Sequence, residues 1–167
     1  MRATVVYESR FGNTHKVAEA IAEALDAQLI SVDAPMPDLE EIDLLVVGGP
    51  THVHGMTGGR SREAAVEEGG AEGRGVREWL EELPRGHGRA AAFDTRIEKP
   101  AFLTGSAAKG IAKRLQRKGL QVVATESFFV LGTDGPLKDG ELERAGEWAT
   151  GLRDQVQDVE GLAVGSH

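Results

Sequence analysis

The hydrophobic period changes abruptly near the N-terminus, and this change limits what the chain can fold into more than any other feature does. The run TVVY at residues 4–7 is typical of a buried strand, whereas Val17, Ile21 and Leu25 recur every four residues, as on the inner face of a helix. Only the residues SRFGNT, 9–14, separate the two patterns. The sequence therefore predicts a strand that turns sharply into a helix.

This turn is a candidate anion site. The first N–H groups of a helix have no partner inside the helix and point outward, so they can hold a phosphate. Gly12 lies in the middle of the turn. Many parallel-sheet proteins also have a glycine there for shape alone, so the spacing by itself leaves both interpretations open.

Strands and helices alternate along the rest of the chain, which indicates an α/β fold with a parallel sheet covered by helices on both faces. The predicted strands span 4–7, 27–34, 42–49, 88–94 and 120–132. The third strand is almost wholly apolar, as expected of a central strand in a parallel sheet.

Further helices are predicted after these strands. One spans 76–83, one begins after a Ser106 cap and is closed by Gly119, and the last begins at Asp139. The last helix has an inward apolar stripe of Leu142, Ala145, Ala149, Leu152, Val156 and Val159. A long glycine-rich surface loop is predicted over 55–75, with one helical turn at 61–67.

Length and composition limit the domain organisation. The 167 residues fit one domain, predicted over 1–160, and a loose tail over 161–167. The chain has no cysteine, which excludes thiolate catalysis and disulfides. No apolar run approaches the roughly 20 residues of a membrane span, and no signal peptide is visible. We therefore expect a soluble, cytoplasmic protein that is a monomer by default and does not act at a membrane.

Charge argues against nucleic acid as a partner. The formal net charge is -8 and the pI is about 5.2, whereas nucleic-acid binding needs a basic footprint. The basic residues that lie in or beside three loops are Arg10, His15, Lys16, His52, His54, Arg60, Arg62, Arg96 and Lys99. The carboxyl ends of parallel strands meet at one edge of a sheet, so these loops are expected to lie together at a ligand site.

The turn resembles the flavodoxin signature position by position. The matching residues are Val5, Val6, Tyr7, Ser9, Gly12, Asn13, Thr14, Ala18 and Ile21. The resemblance continues through GGPTHVHG at 48–55, AFDTRI at 92–97 and GTDGPLKDGELERAGEW at 132–148. It implies a flavodoxin-like three-layer sandwich with a five-stranded parallel sheet of order 2-1-3-4-5, an order that comes from the family and not from spacing.

The resemblance also implies FMN as cofactor. Residues of the first loop would surround its phosphate, namely Ser9, Arg10, Phe11, Gly12, Asn13 and Thr14. Two later loops would flank the isoalloxazine ring: Pro50, Thr51, His52, Val53, His54 and Gly55 on one side, and Phe93, Asp94, Thr95 and Arg96 on the other. Family loops usually bind the phosphate without a cation, and here Arg10 could add one.

Two departures from the family pattern bear on the cofactor. Common flavodoxins stack aromatic residues on the flavin, yet the only tyrosine is Tyr7, and Trp79 and Trp148 fall on predicted helices. The remaining candidates for stacking are His52, His54 and Phe102. Typical flavodoxins are also acidic around the flavin, whereas these loops are basic, so we expect a less negative redox potential than the family norm.

Individual polar residues have structural alternatives. His52 could exchange protons near pH 6.5, but packing or a single hydrogen bond explains it as well. Asp94 could merely cap the turn that follows its strand, and Glu8 could pair with Arg10 or Arg96. We predict no acid–base catalytic residue and no metal site, because in a flavoprotein the cofactor carries the chemistry.

Three functions remain open from the sequence. The first is an FMN protein that carries electrons between a reductase and an acceptor, for which the basic loops favour acidic redox partners. The second is an FMN-dependent NAD(P)H/quinone or menaquinone-linked oxidoreductase of the same superfamily, in which the loop over 55–75 would form a substrate pocket. The third is a flavodoxin-like module that has lost its cofactor and acts only through contacts.

Overall fold

A computed structural model describes residues 1–51, 75–100 and 105–165, with side chains up to residue 158. Its strands are β1 (Ala3–Tyr7), β2 (Gln28–Ser31), β3 (Leu44–Pro50), β4 (Arg89–Ile97) and β5 (Gln121–Val130). Its α-helices are α1 (Asn13–Leu25), α2 (Val76–Glu82), α3 (Ala107–Arg117) and α4 (Glu141–Gly165). A short 3-10 helix over Leu39–Glu41 connects β2 to β3.

The five strands form one parallel sheet of order β2-β1-β3-β4-β5, which confirms the expected fold class. β3 lies at the centre, and its apolar residues alternate between the two faces of the sheet. Leu44 and Val46 join the core under α1 and α4, while Leu45 and Val47 join the core under α2 and α3. Helices therefore cover both faces of the sheet.

Aromatic side chains fill the core between the sheet and α4. Phe93, Phe128 and Trp148 meet edge to face with ring centroids 5.9–6.4 Å apart, and Phe93 and Phe128 are fully buried. A Cβ atom at Gly48 would overlap the ring of Phe93. The glycine in β3 is thus required by the space that this ring takes.

The C-terminal ends of β4 and β2 differ most from the prediction. β4 continues to Ile97, so residues 95–97, expected in a loop, pair with Phe128 to Val130 of β5. The hydrogen bonds of this ladder extend the strand beyond its apolar stretch. β2 is shorter than predicted and ends at Ser31, where a turn begins.

Helix α4 begins at Glu141 and departs from the predicted stripe at one position. Leu142 is 42% exposed, whereas the stripe residues Ala145, Ala149, Leu152 and Val156 are buried as expected. Glu141 turns inward instead: its carboxylate accepts a hydrogen bond from the Phe129 N–H at 2.7 Å and pairs with Arg144 at 2.6 Å. Burial alone would raise the pKa of Glu141, but these two partners outweigh burial and hold the pKa below its ordinary value.

The end of α4 corrects another expectation. The helix continues to Gly165, so residues 161–165 are helical and not part of a loose tail. A single interior glycine such as Gly161 costs a helix only about 1 kcal/mol, which does not end it. The interpretation of residues 1–160 as a single domain stays a prediction.

Parts of the prediction fall outside the described residues. These include most of the 55–75 loop with its helical turn at 61–67, the stripe residue Val159, and the stacking candidates His52, His54 and Phe102. None of the described helices combines the length and the apolar character that a membrane span requires.

Candidate functional site

Four helices in the described part of the chain begin at the carboxyl edge of the sheet, and their N-termini differ in what satisfies them. α1, α2, α3 and α4 follow β1, β3, β4 and β5 respectively. In a parallel sheet these ends meet at one edge, where ligands bind in open α/β folds. The unpaired N–H groups of each helix are therefore the first feature of the site to account for.

The N-terminus of α1 carries no acidic residue in its first turn and no side-chain cap. Its N-cap is Gly12, whose φ of 87° lies in the left-handed region that favours glycine. The Gly12 N–H donates to Ser9 Oγ at 3.0 Å, which closes the turn. None of the described loop and capping hydrogen bonds uses the N–H groups of residues 13–15. No atom of the described residues lies within 4 Å of a Cβ built on Gly12, so within this part of the chain the end is open.

A pair of hydroxyls connects the start of α1 to β4. Thr14 Oγ1 and Thr95 Oγ1 lie 2.7 Å apart, and both residues are at least 95% buried. One hydroxyl of such a pair donates to the other, which leaves one O–H available to a further acceptor. The pair brings two of the predicted site residues together, although they lie far apart in the sequence.

The Asn13 side chain packs against the turn that follows β5. A Cβ at Gly135 would come within 2.7 Å of Asn13 Nδ2, so the backbone of this turn contacts the amide closely. Residues 132–136 share the family resemblance, but the predicted site does not include them. Their position directly after a strand, at the same edge as the first loop, was the signal that could have placed them there.

Carboxylates occupy the N-terminus of α2. Glu8 Oε1 accepts a hydrogen bond from the Val76 N–H at 2.7 Å, and Glu8 Oε2 accepts one from Arg10 Nε at 2.9 Å. Both side chains of the pair are only 3% exposed. Of the two partners predicted for Glu8, Arg10 and Arg96, the structure shows the pair with Arg10. Since Glu8 balances the charge of Arg10, this arginine is not a free cation added to the first loop.

Asp94 occupies the N-terminus of α3. Its Oδ2 atom accepts from the Ala108 N–H at 3.0 Å, from Ser106 Oγ at 2.9 Å and from Thr51 Oγ1 at 3.0 Å. Thr51 Oγ1 in turn accepts from the Ala107 N–H at 2.9 Å. The cap predicted for Ser106 is therefore supplied by Asp94 and Thr51, because the Ser106 hydroxyl donates to the carboxylate instead.

The second oxygen of Asp94 has a different environment. Asp94 is fully buried, and no described residue donates a hydrogen bond to Oδ1. Arg96 Nε lies 4.0 Å away, while it donates to Ser127 Oγ at 3.1 Å. Arg96 also packs over the Phe129 ring at 5.3 Å. The buried oxygen can accept a hydrogen bond from a ligand or a water at this edge.

Tyr7 and His15 stack beside the first loop, with ring centroids 4.7 Å apart and planes 12° apart. His15 Nε2 also lies 3.1 Å from the Glu19 carboxylate. Burial, together with the charges of Glu19 and Asp33, raises the pKa of the Tyr7 hydroxyl. The single tyrosine thus packs on α1.

Neither tryptophan belongs to this edge. Trp148, on α4, is partly buried and packs against the core under that helix, and Trp79 is fully buried in the core under α2 and α3. Phe93 is buried in the aromatic cluster, so its side chain belongs to the core as well.

Of the other predicted ring-flanking residues, Pro50 ends β3 and the Thr51 N–H donates to the Thr95 carbonyl at 2.8 Å. Residues 52–55 lie outside the described part of the chain.

The donor set of the first loop fits the phosphate of FMN. It offers the first N–H groups of α1, the hydroxyls of Ser9, Thr14 and Thr95, and open space beside Gly12. Hydrogen bonds from oriented N–H groups and the helix dipole both favour a dianion there.

The other three helices differ from α1. α2 and α3 carry Glu8 and Asp94 at their N-termini, and α4 has Glu141 and Glu143 in its first turn. These carboxylates would repel an anion.

Comparisons with known proteins agree with this geometry. A family profile described as a flavodoxin domain matches residues 4–59. A search of curated proteins gave no match.

Solved flavodoxin structures share the fold. A flavodoxin from the domain Archaea is 23% identical, covers 94% of this chain and 99% of its own, and has a TM-score of 0.62. Flavodoxin 2 from Bacillus cereus is 17% identical, with coverage of 93% and 99% and a TM-score of 0.65. The two-electron reduced flavodoxin of Megasphaera elsdenii is 18% identical, with coverage of 89% and 98% and a TM-score of 0.58. The profile match covers residues 4–59 only, and the solved structures show that the chain has the fold of flavodoxins.

Proposed function

We propose that the protein binds FMN, with the phosphate at the N-terminus of α1, and carries electrons between a reductase and an acceptor. One observation supports the cofactor most directly. Of the helix N-termini described at this edge, only that of α1 has neither a carboxylate partner nor an acidic residue in its first turn. This end can therefore take a dianionic group, and its neighbours cannot.

The residues of the first loop would hold the phosphate without a cation that neutralises its charge. Arg10 is balanced by Glu8, so binding rests on the N–H groups of α1 and on the hydroxyls of Ser9 and Thr14. Charge-assisted hydrogen bonds of this kind contribute about 1.5–3 kcal/mol each. Asn13 fixes the loop against the turn at Gly135.

The second group of residues would orient the ring. The Asp94 Oδ1 atom supplies a buried acceptor, and Arg96 supplies a cation held by Ser127 and Phe129. A less negative potential than the family norm stays a prediction: a cation near the ring favours its reduced, more negative form, but Asp94 lies 4.0 Å from Arg96 and offsets part of that charge. FMN, when bound, accepts and releases one or two electrons.

The proposal of a carrier rests on the flavodoxin-domain match over residues 4–59 and on the fold shared with solved flavodoxins. The partners would be a reductase and an acceptor, each a protein. The alternatives are an FMN-dependent oxidoreductase that turns over NAD(P)H and quinone by itself, and a module without cofactor. Each of these alternatives predicts a result that differs from that of the carrier in one of the two experiments below.

The first experiment compares two ligands. Purified protein is freed of flavin and titrated with FMN and with riboflavin, which lacks the phosphate, while flavin fluorescence is followed. We expect FMN to bind at least about 100-fold more tightly, since two charge-assisted hydrogen bonds account for that ratio. Equal affinities would contradict the phosphate site, and no binding of either ligand would favour the module without cofactor.

The second experiment separates a carrier from an enzyme. The FMN-loaded protein is mixed with NADH or NADPH and a quinone, with and without an added flavin reductase. A carrier is expected to be reduced only when the reductase is present. Steady-state turnover without the reductase would overturn the carrier proposal in favour of the oxidoreductase.

A further inference from the structure

Helix α3 carries a line of positive charge that the site does not use. Residues 99–125 contain six lysines and arginines and no acidic residue, in a chain with a net charge of -8. Lys109, Lys113 and Arg117 lie at i, i+4 and i+8 on α3, and all three are exposed. This spacing places them along one face of the helix. We call these three residues the basic stripe.

The neighbouring acidic residues are engaged elsewhere. On α2, Glu81 pairs with Arg77 at 3.7 Å, and on β5, Glu126 pairs with Arg144 at 3.3 Å. No residue of the basic stripe forms an ion pair with a described acidic residue. The stripe thus presents three cations to solvent.

Helix stability does not account for the stripe. Cations near the C-terminus of a helix interact favourably with its dipole, which suits Arg117. Lys109, however, lies in the first turn, where the dipole disfavours a cation, and like charges at i and i+4 repel each other. The charges of Arg77 and Arg117 also contribute to a lowered pKa of Arg114, whose largest cause is burial. The positive charges of the basic stripe therefore lower the intrinsic stability of α3.

The opposite helical layer carries the opposite charge. α4 contains six acidic residues against two arginines, and α1 contains Glu19 and Glu23 against Lys16. A partner with an acidic surface would be attracted to the α3 side and repelled from the α1 and α4 side. The charge distribution therefore defines one orientation of approach.

We propose that the basic stripe of α3 is the docking surface for an acidic patch on the electron-transfer partner. This role rests on the proposed function, because α3 begins next to Asp94, at the edge where the flavin ring would lie. Lys109 follows Ala108, whose N–H binds Asp94, so docking on the stripe would bring the partner beside that edge. A duplex nucleic acid fits less well, because Glu78, Glu81 and Glu82 on adjacent α2 confine the positive charge to one helix face.

The test uses a fluorescent peptide of about ten glutamates as a probe, with binding to the full chain followed by fluorescence anisotropy at low salt. We expect binding that weakens as salt is added. The variant Lys109→Gln/Lys113→Gln/Arg117→Gln should bind at least about tenfold more weakly. The control Arg2→Gln/Lys138→Gln/Arg153→Gln removes the same number of charges away from α3 and should lose less than about threefold.

Three results would overturn the docking proposal: no binding of the peptide, equal losses in the two variants, or tighter binding of a short DNA duplex that the stripe substitutions abolish. An FMN titration of the same variants keeps this proposal separate from the proposed function. The stripe variant should bind FMN as the unmodified protein does. A protein that binds the peptide but not FMN would refute the cofactor and leave the acidic docking surface standing.

Discussion

The starts of α1 and α3 lie at the same sheet edge, after β1 and β4, yet their first N–H groups are satisfied in opposite ways. At α3, the first N–H groups donate to Asp94 and Thr51, so the protein itself satisfies them. At α1, the N-cap is a glycine without a side chain to offer, and its surroundings are open. The start of α3 is therefore closed by the fold, whereas the start of α1 is open.

The difference shows how an α/β protein limits a ligand to one of several similar positions. Any helix N-terminus attracts an anion through its dipole and free N–H groups. A buried carboxylate at the same place satisfies those groups and repels the anion. Glu8 at α2 and Asp94 at α3 would therefore be as important for the selectivity of the proposed phosphate site as the open loop of α1.

The largest expected effect comes from breaking the buried pair at α2. Glu8→Gln leaves the guanidinium of Arg10 buried without its charge partner, and such changes cost about 3–5 kcal/mol. Urea denaturation measures the loss. The double variant Glu8→Gln/Arg10→Met removes both charges and should recover part of it.

The matched control is Glu19→Gln, whose side chain is 56% exposed beside His15 and which should change the free energy of unfolding by less than about 0.5 kcal/mol. A loss below about 1 kcal/mol for Glu8→Gln would mean that the pair does not hold the start of α2.

A smaller loss is expected when the closed start of α3 is weakened. Asp94→Asn keeps one acceptor but replaces the other oxygen by an amide with no described acceptor, and it removes the charge that strengthens three hydrogen bonds. We expect a loss of about 2 kcal/mol in the free energy of unfolding. Asp139→Asn, at an exposed position, is the control and should stay within about 0.5 kcal/mol. An unchanged stability for Asp94→Asn would contradict the capping role.

The comparison is sharpened by closing the open start of α1. Gly12→Asp places a carboxylate in the space proposed for the phosphate, whereas Gly12→Asn adds a side chain of the same size without charge, and both residues tolerate left-handed backbone. The aspartate should be slightly more stable than the asparagine because of the helix dipole. FMN should nevertheless bind at least about tenfold more weakly to the aspartate variant.

Urea denaturation and FMN titration of the two Gly12 variants measure these opposite trends. Riboflavin, which lacks the phosphate, should bind both variants equally. If FMN also fails to distinguish them, the phosphate does not lie at the start of α1.

Much of this contrast could be predicted from the sequence, because it depends on local signals. The change of period around Gly12 located the open helix start, and the family resemblance supplied the strand order that the structure confirms. The position of Asp94 at the end of its strand indicates a possible cap of the turn that follows. The sequence offers Arg10 and Arg96 as partners of Glu8. Arg10 is observed, and it lies only two positions from Glu8 in the sequence.

Other features depend on contacts between distant residues and escaped the sequence. The last residues of β4 pair with β5 through backbone hydrogen bonds, which no side-chain pattern encodes, so the strand was predicted too short. Leu142 matched the helical period, yet Glu141 is buried because a free N–H of β5 needs its carboxylate. The contact of Asn13 with Gly135 likewise joins the two ends of the chain.

The smallest expected effect concerns the hydroxyl pair that joins the open start of α1 to the strand behind the closed start of α3. Thr14→Val and Thr95→Val each remove one partner of the bond, and each should cost about 1 kcal/mol or slightly more. The double variant should cost less than the sum of the two, because it leaves no unpaired hydroxyl, with a coupling of about 1 kcal/mol in a double-mutant cycle. Strictly additive losses of stability would mean that the two hydroxyls do not bond, and the two helix starts would then be independent.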